Sequence, residues 1–207
     1  MHRFESVTKE IYRLKIPFDT VYTSVFLVET DEGAILVDCA TTNEDVTDYI
    51  APALEAFGVK TLRYLVLSHH HEDHAGGKDM VLRLYPETEV VTGIQTLAPN
   101  IQTYPMPGHT RDCIGVLDLR TKTLISADGI QGYGVDKYLC STHDEEAYLQ
   151  TLARVKEDER IENVLFSHAY APWDKDYAFG KEQVNQCLQD SLDYIERRRK
   201  NYESNCH

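Results

Sequence analysis

The chain has 207 residues, a hydrophobic content of 42% and a formal net charge of −13, from 34 acidic residues against 21 Lys and Arg. This length allows one domain with a substantial core, and the composition is typical of a globular protein. The negative charge opposes binding to nucleic-acid phosphates, and no run approaches the roughly 18 apolar residues that a membrane-spanning helix needs.

Two further features bear on cellular location. The first 16 residues mix charged and apolar side chains without the apolar segment of a secretion signal, so we expect a cytoplasmic protein. The five cysteines form an odd set with no CxxC pair, which argues against a disulfide framework and against a thiolate zinc site. We expect free thiols, with Cys39 and Cys113 inside apolar strands.

The first half of the chain opens as antiparallel β structure. Apolar runs predict strands at about 9–16, 21–29 and 33–38, with a tight turn at 29–33. A helix follows from about 43 to 57, for which Asn43 is the expected N-cap and Gly58 the expected end. The later predicted strands are 62–67, 88–92, 101–105, 113–119, 123–127 and 163–167, and the later helices are 75–85, 144–157 and about 178–202.

The last predicted helix has an apolar stripe formed by Val184, Leu188, Leu192 and Ile195, which indicates a helix that covers a core. The basic run at 197–200 lies near its end, where cations favour the helix dipole, so we do not assign it to nucleic acid. The element order predicts a layered α/β or α+β fold, a single domain over residues 1–207 with this helix as its cover.

The stretch SHHHEDHAGG, residues 68–77, directly follows the apolar run LRYLVL. In an α-helix His69 and His71 would point about 200° apart, whereas in an extended loop positions i and i+2 face the same side. We therefore predict a loop in which His69 and His71 converge on one metal ion. After a turn of the chain, Asp73 and His74 can face a second ion.

Three more potential ligands follow later apolar runs at their C-terminal ends: His109, Asp128 and His168. Loops at strand ends commonly build functional sites on a rigid scaffold. Imidazoles and carboxylates are the ligands of catalytic metal sites that keep a position open for water. We leave His2, His70, His143 and His207 as structural residues.

These motifs resemble the metallo-β-lactamase fold hydrolases. The family signature HxHxDH is matched by His69, His71, Asp73 and His74, and the later ligands lie within PGHT, SADG and FSHAY in the family order. The resemblance implies a four-layer αββα sandwich with two metal ions at one edge. It implies that His69, His71 and His109 bind the first ion, that Asp73, His74 and His168 bind the second, and that Asp128 bridges them.

Individual positions distinguish branches of this family. The best-known zinc lactamases have a cysteine where this chain has Asp128, so the resemblance is to the glyoxalase II, lactonase and phosphodiesterase branches. Lactonases have a tyrosine three residues past the bridging aspartate; here Gln131 stands there and Tyr133 lies nearby. Persulfide dioxygenases keep the histidines and use a single iron ion, and they remain an alternative.

We therefore expect a hydrolase with two divalent ions, zinc first, with iron or manganese as alternatives. A metal-bridging hydroxide would attack a small ester, thioester, lactone or related substrate, and Asp73 would orient it and pass a proton. The alternatives are a mononuclear iron oxidoreductase or a metal-binding module without turnover. The expected partner is a small molecule, without nucleic acid or membrane; the sequence does not encode the oligomeric state.

Other side chains are candidates for support of the ligands or for the pocket. Polar groups beside a ligand can hold its imidazole in place. The candidates for this support are Asp38, Ser68, Thr110 and Ser167, and those for pocket walls are Tyr133, Tyr170 and Trp173.

Overall fold

The computed structural model describes residues 3–132, 142–169 and 175–204. Two six-stranded sheets form the centre of the molecule, in the orders β1-β2-β3-β4-β5-β6 and β12-β11-β10-β9-β8-β7. The first sheet contains β1 (Glu5–Ser6), β2 (Ile11–Phe18), β3 (Val21–Val28), β4 (Ala34–Val37), β5 (Leu62–Val66) and β6 (Glu89–Val91). The second contains β7 (Thr96–Ala98), β8 (Ile101–Pro105), β9 (Ile114–Asp118), β10 (Thr123–Ala127), β11 (Asn163–Phe166) and β12 (Tyr177–Phe179).

Helices connect or follow these strands. The first helical segment runs without a break from α1 (Asn43–Asp45) through a π-helical turn (Val46–Ile50) into α2 (Ala51–Phe57). The later helices are α3 (Glu72–Ala75), α4 (Lys78–Leu84), α5 (Glu145–Glu157) and α6 (Gly180–Ser204).

Three apolar clusters arrange these elements in layers. The middle cluster joins the two sheets face to face, with Phe26 and Val66 from one sheet and Val116 and Leu165 from the other. A second cluster packs the helices after β4 and β5 on the outer face of the first sheet. A third packs α5 and α6 on the outer face of the second sheet. The predicted αββα sandwich is therefore confirmed.

Several predicted boundaries were wrong for local reasons. The first helix is capped by Thr42, whose side chain and that of Asp45 form a reciprocal capping box, and not by Asn43. Gly58 ends it in a left-handed conformation, as predicted. The helix predicted at 75–85 is α4, which starts only at Lys78 because a separate helical turn, α3, ends at Ala75. The last helix starts at Gly180 because β12 precedes it.

Strand direction places one end of both sheets at a common edge. β4 and β5 are parallel, β10 and β11 are parallel, and β8 runs in the same direction as β10 because both are antiparallel to β9. Main-chain hydrogen bonds join the sheets at this edge, from Ile114 N to Ser68 O at 2.8 Å and from Ser24 N to Ser167 O at 2.8 Å. The segments after these five strands therefore lie close together.

The covering helix α6 packs on the core through its apolar stripe, as the sequence predicts. Val184, Leu188 and Ile195 are buried in the third cluster, and Leu192 packs against it. Arg198 and Arg199 pair with Glu145 at the start of α5, so two residues of the basic run join the helices. No helix within the described ranges is long and apolar enough to cross a membrane.

Gly76 and Gly77 allow the chain after the histidine cluster to approach the segment after β4. A Cβ on Gly76 would lie 1.8 Å from the carbonyl oxygen of Thr41, and one on Gly77 would lie 2.3 Å from that of Cys39. Main-chain atoms cannot move aside as a flexible side chain can. Glycine is therefore required here by contact between two backbones.

We expect Gly76→Ala to destabilise the fold by about 3 kcal/mol, because the added methyl group overlaps main-chain atoms. The matched control is Gly93→Ala, where a Cβ meets nothing within 4 Å and the change should stay within about 0.5 kcal/mol. Urea unfolding of both variants measures the difference. Equal stability of the two variants would show that the close approach is not required.

Candidate metal centre

The 68–77 segment is part extended and part helical. His71 has extended backbone angles, φ −67° and ψ 148°, and precedes the single helical turn of α3. The prediction of a loop is thus correct up to His71 and wrong for the four residues that follow. Asp73 and His74 lie within this helical turn. The predicted turn of the chain after His71 is therefore made by α3.

The structure brings the predicted ligands together at the common edge. Three groups have ligand atoms within 4.8 Å of one another: His69, His71 and His109; His69, His74 and Asp128; and Asp73, His74 and His168. These groups share members, so the seven side chains form one continuous cluster. Four separate segments contribute to it, following β5, β8, β10 and β11.

Asp128 lies between the two outer groups. Its Oδ2 is 3.6 Å from both His74 Nε2 and His109 Nε2, and its Oδ1 is 3.4 Å from His168 Nε2. Asp73 lies to one side, with Oδ2 3.2 Å from His74 Nε2 and 3.4 Å from His168 Nε2. One carboxylate is therefore central and the other is peripheral.

Two buried nitrogens test whether this cluster fits metal ions. The Nε2 atoms of His69 and His74 are buried, and neither has a hydrogen-bond partner among the described residues. Burying a polar atom without a partner costs free energy unless a ligand binds it. Each atom belongs to a group of nearby imidazole and carboxylate ligands, which suits divalent metal ions. The residues present fit divalent metal ions.

Asp38 orients two of the imidazoles. Its Oδ2 accepts a hydrogen bond from His74 Nδ1 at 2.7 Å and from Ser68 Oγ at 2.9 Å, and its Oδ1 accepts from Ser68 N at 2.8 Å. Because the Ser68 hydroxyl donates to Asp38, it accepts from His69 Nδ1, 3.0 Å away. Both histidines consequently carry a proton on Nδ1 and direct Nε2 into the cluster.

Asp38 and Ser68 contact the ligating imidazoles, as predicted. The same prediction for Thr110 and Ser167 was wrong. The side-chain oxygens of the latter two are buried, and neither makes a hydrogen bond to a ligating imidazole among the described residues. Position next to a ligand in sequence therefore did not predict a contact with that ligand.

Three supporting contacts were not predicted. His168 Nδ1 donates to the main-chain carbonyl of Tyr22 at 2.7 Å, and Thr23 Oγ1 donates to Asp73 Oδ2 at 3.2 Å. Gln131 places its amide nitrogen 3.1 Å from His109 Nδ1. Tyr22 and Thr23 reach the site because β3, antiparallel to β4, begins at the edge where β4 ends. No sequence motif indicates a contact made by a main-chain carbonyl.

The electrostatics of the cluster keep its carboxylates ionised. Burial opposes ionisation of Asp128, but His168 and His74 outweigh it and hold the pKa of this carboxyl well below its usual range. Burial would lower the pKa of His168, but the charge of Asp128 outweighs burial and raises this pKa to about 10. Burial lowers the pKa of His69 to about 3, so this imidazole is neutral.

The structure describes two of the histidines that we assigned structural roles, His70 and His143. His70 pairs with Asp112 and is exposed, as expected for a structural residue. The ring of His143 lies 6.2 Å from that of His71, at the edge of the cluster. The residues that fall outside the described ranges are His2, Tyr133, Tyr170, Trp173 and His207.

We expect Asp38→Asn to lower zinc affinity about 10- to 100-fold, because an amide cannot accept from all three donors and loses the charge that fixes His74. Competition with a chromophoric chelator measures the affinity. Asp118→Asn is the matched control, since Asp118 is equally buried but pairs with Arg120 at the opposite end of its sheet. The same loss in both variants would indicate general destabilisation.

Comparison with known proteins agrees with this geometry. A family model described as the metallo-beta-lactamase superfamily matches residues 18–100. A hydroxyacylglutathione hydrolase of Legionella pneumophila (strain Paris) is 25% identical over 62% of this chain and 56% of its own length. An atrochrysone carboxyl ACP thioesterase of Cryptosporiopsis sp. is 25% identical over 54% of this chain and 39% of its own length.

The chain thus spans about half the length of these curated relatives or less. Among solved structures, a metallo-beta-lactamase from Pontibacter korlensis has a TM-score of 0.70 at 15% identity, over 91% of this chain and 99% of that chain. This likeness is one of fold. The family match includes the segment that contains His69 to His74, and the solved structure shares the fold of this chain.

Proposed function

We propose that this protein is a hydrolase with two metal ions, most simply zinc, that cleaves a small ester, thioester or lactone. The observation that carries the proposal is the convergence of seven ligand side chains around Asp128. His69, His71 and His109 would bind the first ion, and Asp73, His74 and His168 would bind the second. Asp128, in contact range of both groups, would be shared.

Divalent ions bound here would supply a water of lowered pKa and polarise the carbonyl oxygen of the substrate. Groups of the protein itself fix the orientation of the ligating imidazoles. Asp38 and the Tyr22 carbonyl hold the His74 and His168 rings by their Nδ1 atoms. The Nε2 lone pairs then point into the cluster without reorganisation.

Asp73 is the residue that we assign to proton transfer. Thr23 donates to its Oδ2, which fixes the carboxylate, and its side chain is 13% exposed at the rim of the cluster. Its pKa is held far below the usual range: burial opposes this, but the adjacent His168 and His74 imidazoles outweigh burial. An ionised, oriented carboxylate at the rim can accept a proton from water and deliver it to a leaving group.

Burial is uneven across the cluster, which indicates the side that a substrate approaches. His69 and His74 are fully buried, whereas His71, Asp73 and His168 keep some exposed surface. Phe18, at the end of β2, places its ring 6.3 Å from that of His168 on this open side. A substrate carbonyl would therefore approach between the β2–β3 turn and His71.

Two considerations favour an acyl substrate. The relatives named above are a hydroxyacylglutathione hydrolase and a thioesterase, both of which release acyl groups. The net charge of −13 opposes the approach of polyanionic substrates such as nucleic acids. We therefore place a thioester first in the substrate class, followed by simple esters and lactones.

We expect bound metal to stabilise the fold, because binding to the folded state alone shifts the unfolding equilibrium. At a free zinc concentration 100-fold above the dissociation constant, the gain is about 2.7 kcal/mol per site. Thermal unfolding with zinc and with a chelator measures it, and elemental analysis gives the number of ions. An unchanged Tm with no bound metal would contradict the proposed site.

We expect Asp73→Asn to reduce turnover about 10²- to 10⁴-fold, the usual contribution of a positioned acid–base group. Hydrolysis of thioesters, esters, lactones and phosphodiesters by the metal-loaded protein is the measurement, with metal content determined for each variant. The control is Asp79→Asn, an exposed carboxylate on α4.

The same panel distinguishes the alternatives. Hydrolysis by the parent protein and by the Asp79 variant, but not by the Asp73 variant, supports the proposal. Oxygen consumption with a persulfide substrate and bound iron would instead identify an oxidoreductase. Tight metal binding without any turnover, unaffected by Asp73→Asn, would identify a binding module.

A further inference from the structure

Asp176 is a buried carboxylate between the two sheets, outside the set of metal ligands described above. It directly precedes β12, and only 2% of its surface is exposed. Its Oδ2 accepts a hydrogen bond from Tyr22 Oη at 2.7 Å, and its Oδ1 pairs with the Arg13 guanidinium. Lys15 Nζ lies 3.4 Å from the same Oδ2 and 4.3 Å from the centre of the Tyr22 ring. One carboxylate of the second sheet thus joins three side chains of the first.

These three partners belong to the β2–β3 hairpin (residues 11–28) and face the second sheet. Ile11 on β2 and Phe26 on β3 belong to the middle cluster between the sheets. Arg13 lies two residues from Ile11, and Tyr22 lies four residues from Phe26, so their side chains share that inner face. The contacts with Asp176 therefore hold the inner face of the hairpin against the second sheet.

The main chain of Asp176 is joined to the strand that leads to His168. Its carbonyl accepts a hydrogen bond at 2.9 Å from the main-chain nitrogen of Phe166, two residues before His168. The hairpin reaches the same segment where Ser24 N donates to Ser167 O at 2.8 Å. Asp176 therefore connects the hairpin and the His168 segment, through its side chain on one side and its main chain on the other.

Two residues of this hairpin contact ligands of the proposed second ion. The main-chain carbonyl of Tyr22 lies 2.7 Å from His168 Nδ1. Thr23 Oγ1 donates a hydrogen bond to Asp73 Oδ2 at 3.2 Å. Polar groups that contact a metal ligand commonly fix its orientation. The position of the hairpin therefore bears on two of the three ligands in this group.

The ligands of the proposed first ion receive support from other segments. Ser68 Oγ lies 3.0 Å from His69 Nδ1, and the side-chain nitrogen of Gln131 lies 3.1 Å from His109 Nδ1. These supporting residues follow β5 and β10, and not β2 or β3. A change at Asp176 should therefore affect the second ion before the first.

The burial of this ion cluster argues for a role beyond stability. The side chains of Arg13 and Asp176 are 12% and 2% exposed. Removing two such charges from water costs free energy, and apolar side chains of similar volume in their place are often neutral or stabilising. A carboxylate provides a directed acceptor that an apolar side chain lacks, and here it fixes the Tyr22 hydroxyl. The cluster thus determines geometry more than it holds the sheets together.

We propose that Asp176 is a positioning residue for the ligands of the second metal ion. It anchors the hairpin through Arg13, Lys15 and Tyr22. The anchored hairpin then holds the Tyr22 carbonyl and the Thr23 hydroxyl where they contact those ligands. This inference rests on the proposed function, because it concerns the affinity for the second of the two proposed ions.

The test uses two variants that break this connection in different places. Tyr22→Phe removes a hydroxyl and keeps the main-chain carbonyl, and Asp176→Asn removes the charge. The matched control is Tyr12→Phe, since Tyr12 Oη donates to Glu29 at 2.8 Å at the end of the same hairpin away from the metal cluster. Competition with a chromophoric chelator gives the dissociation constant of each zinc ion. Asp73→Asn identifies the second ion, because it alters a ligand of that ion alone.

We expect Tyr22→Phe and Asp176→Asn to raise the dissociation constant of the second ion about 10-fold, as for loss of a partner that orients a ligand. The dissociation constant of the first ion should keep its parent value. Tyr12→Phe should match the parent protein for both ions. An equal loss of affinity for both ions, or no loss for either, would overturn the inference.

A double variant, Arg13→Met with Asp176→Leu, separates positioning from stability. Apolar replacement of both partners should keep the Tm at or above that of the parent protein. The dissociation constant of the second ion should still be raised about 10-fold, because Tyr22 Oη has lost this acceptor. Parent affinity for the second ion in this variant would show that the cluster acts through stability alone. If the double variant does not fold, Tyr22→Phe decides, since it changes a single hydroxyl.

The same measurements separate this inference from the proposed function. Binding of fewer than two zinc ions by the parent protein would contradict the proposed function itself. Binding of two ions by the parent protein, with unchanged affinities in Tyr22→Phe and Asp176→Asn, would contradict only the present inference.

Discussion

The constraint on which the site depends is charge balance in a small buried volume. Asp128 and Asp73 remain ionised because protonated imidazoles surround them, and His74 and His168 have raised pKa values for the reciprocal reason. Divalent cations would meet the same requirement in place of these protons. An isolated buried carboxylate would otherwise be neutralised by protonation. The cluster is therefore organised for positive charge, whether protons or metal ions supply it.

The fold satisfies this constraint by bringing five strand ends to one edge, where short segments present polar groups from a rigid scaffold. Part of the cost is local backbone strain. Asp38 and Ala127 have φ angles of 65° and 47°, in the left-handed region that is unfavourable for residues with a side chain. A bulge between Ile125 and Ala127 accompanies the second. Such conformations persist where surrounding contacts determine them, and here they direct Asp38 and Asp128 inward.

The sequence predicted the parts of the molecule that depend on residue type and on the spacing of apolar residues. Long apolar runs predicted nine of the strands, and ligands after such runs predicted the cluster. The two- and three-residue strands β1, β7 and β12 were missed because they are too short to show alternation. The support from Tyr22 was missed because a main-chain carbonyl has no residue signature. Whether Thr110 and Ser167 contact a ligand depends on packing that sequence neighbours do not determine.

The two proposed metal positions are chemically unequal, and the supporting residues extend this difference. The group of Asp73, His74 and His168 contains a carboxylate, and His74 is backed by another, Asp38. The group of His69, His71 and His109 contains imidazoles only, and the neutral amide of Gln131 backs His109. A carboxylate partner raises the basicity of an imidazole, whereas a neutral amide brings no charge. The second position would therefore attract a divalent cation more strongly than the first.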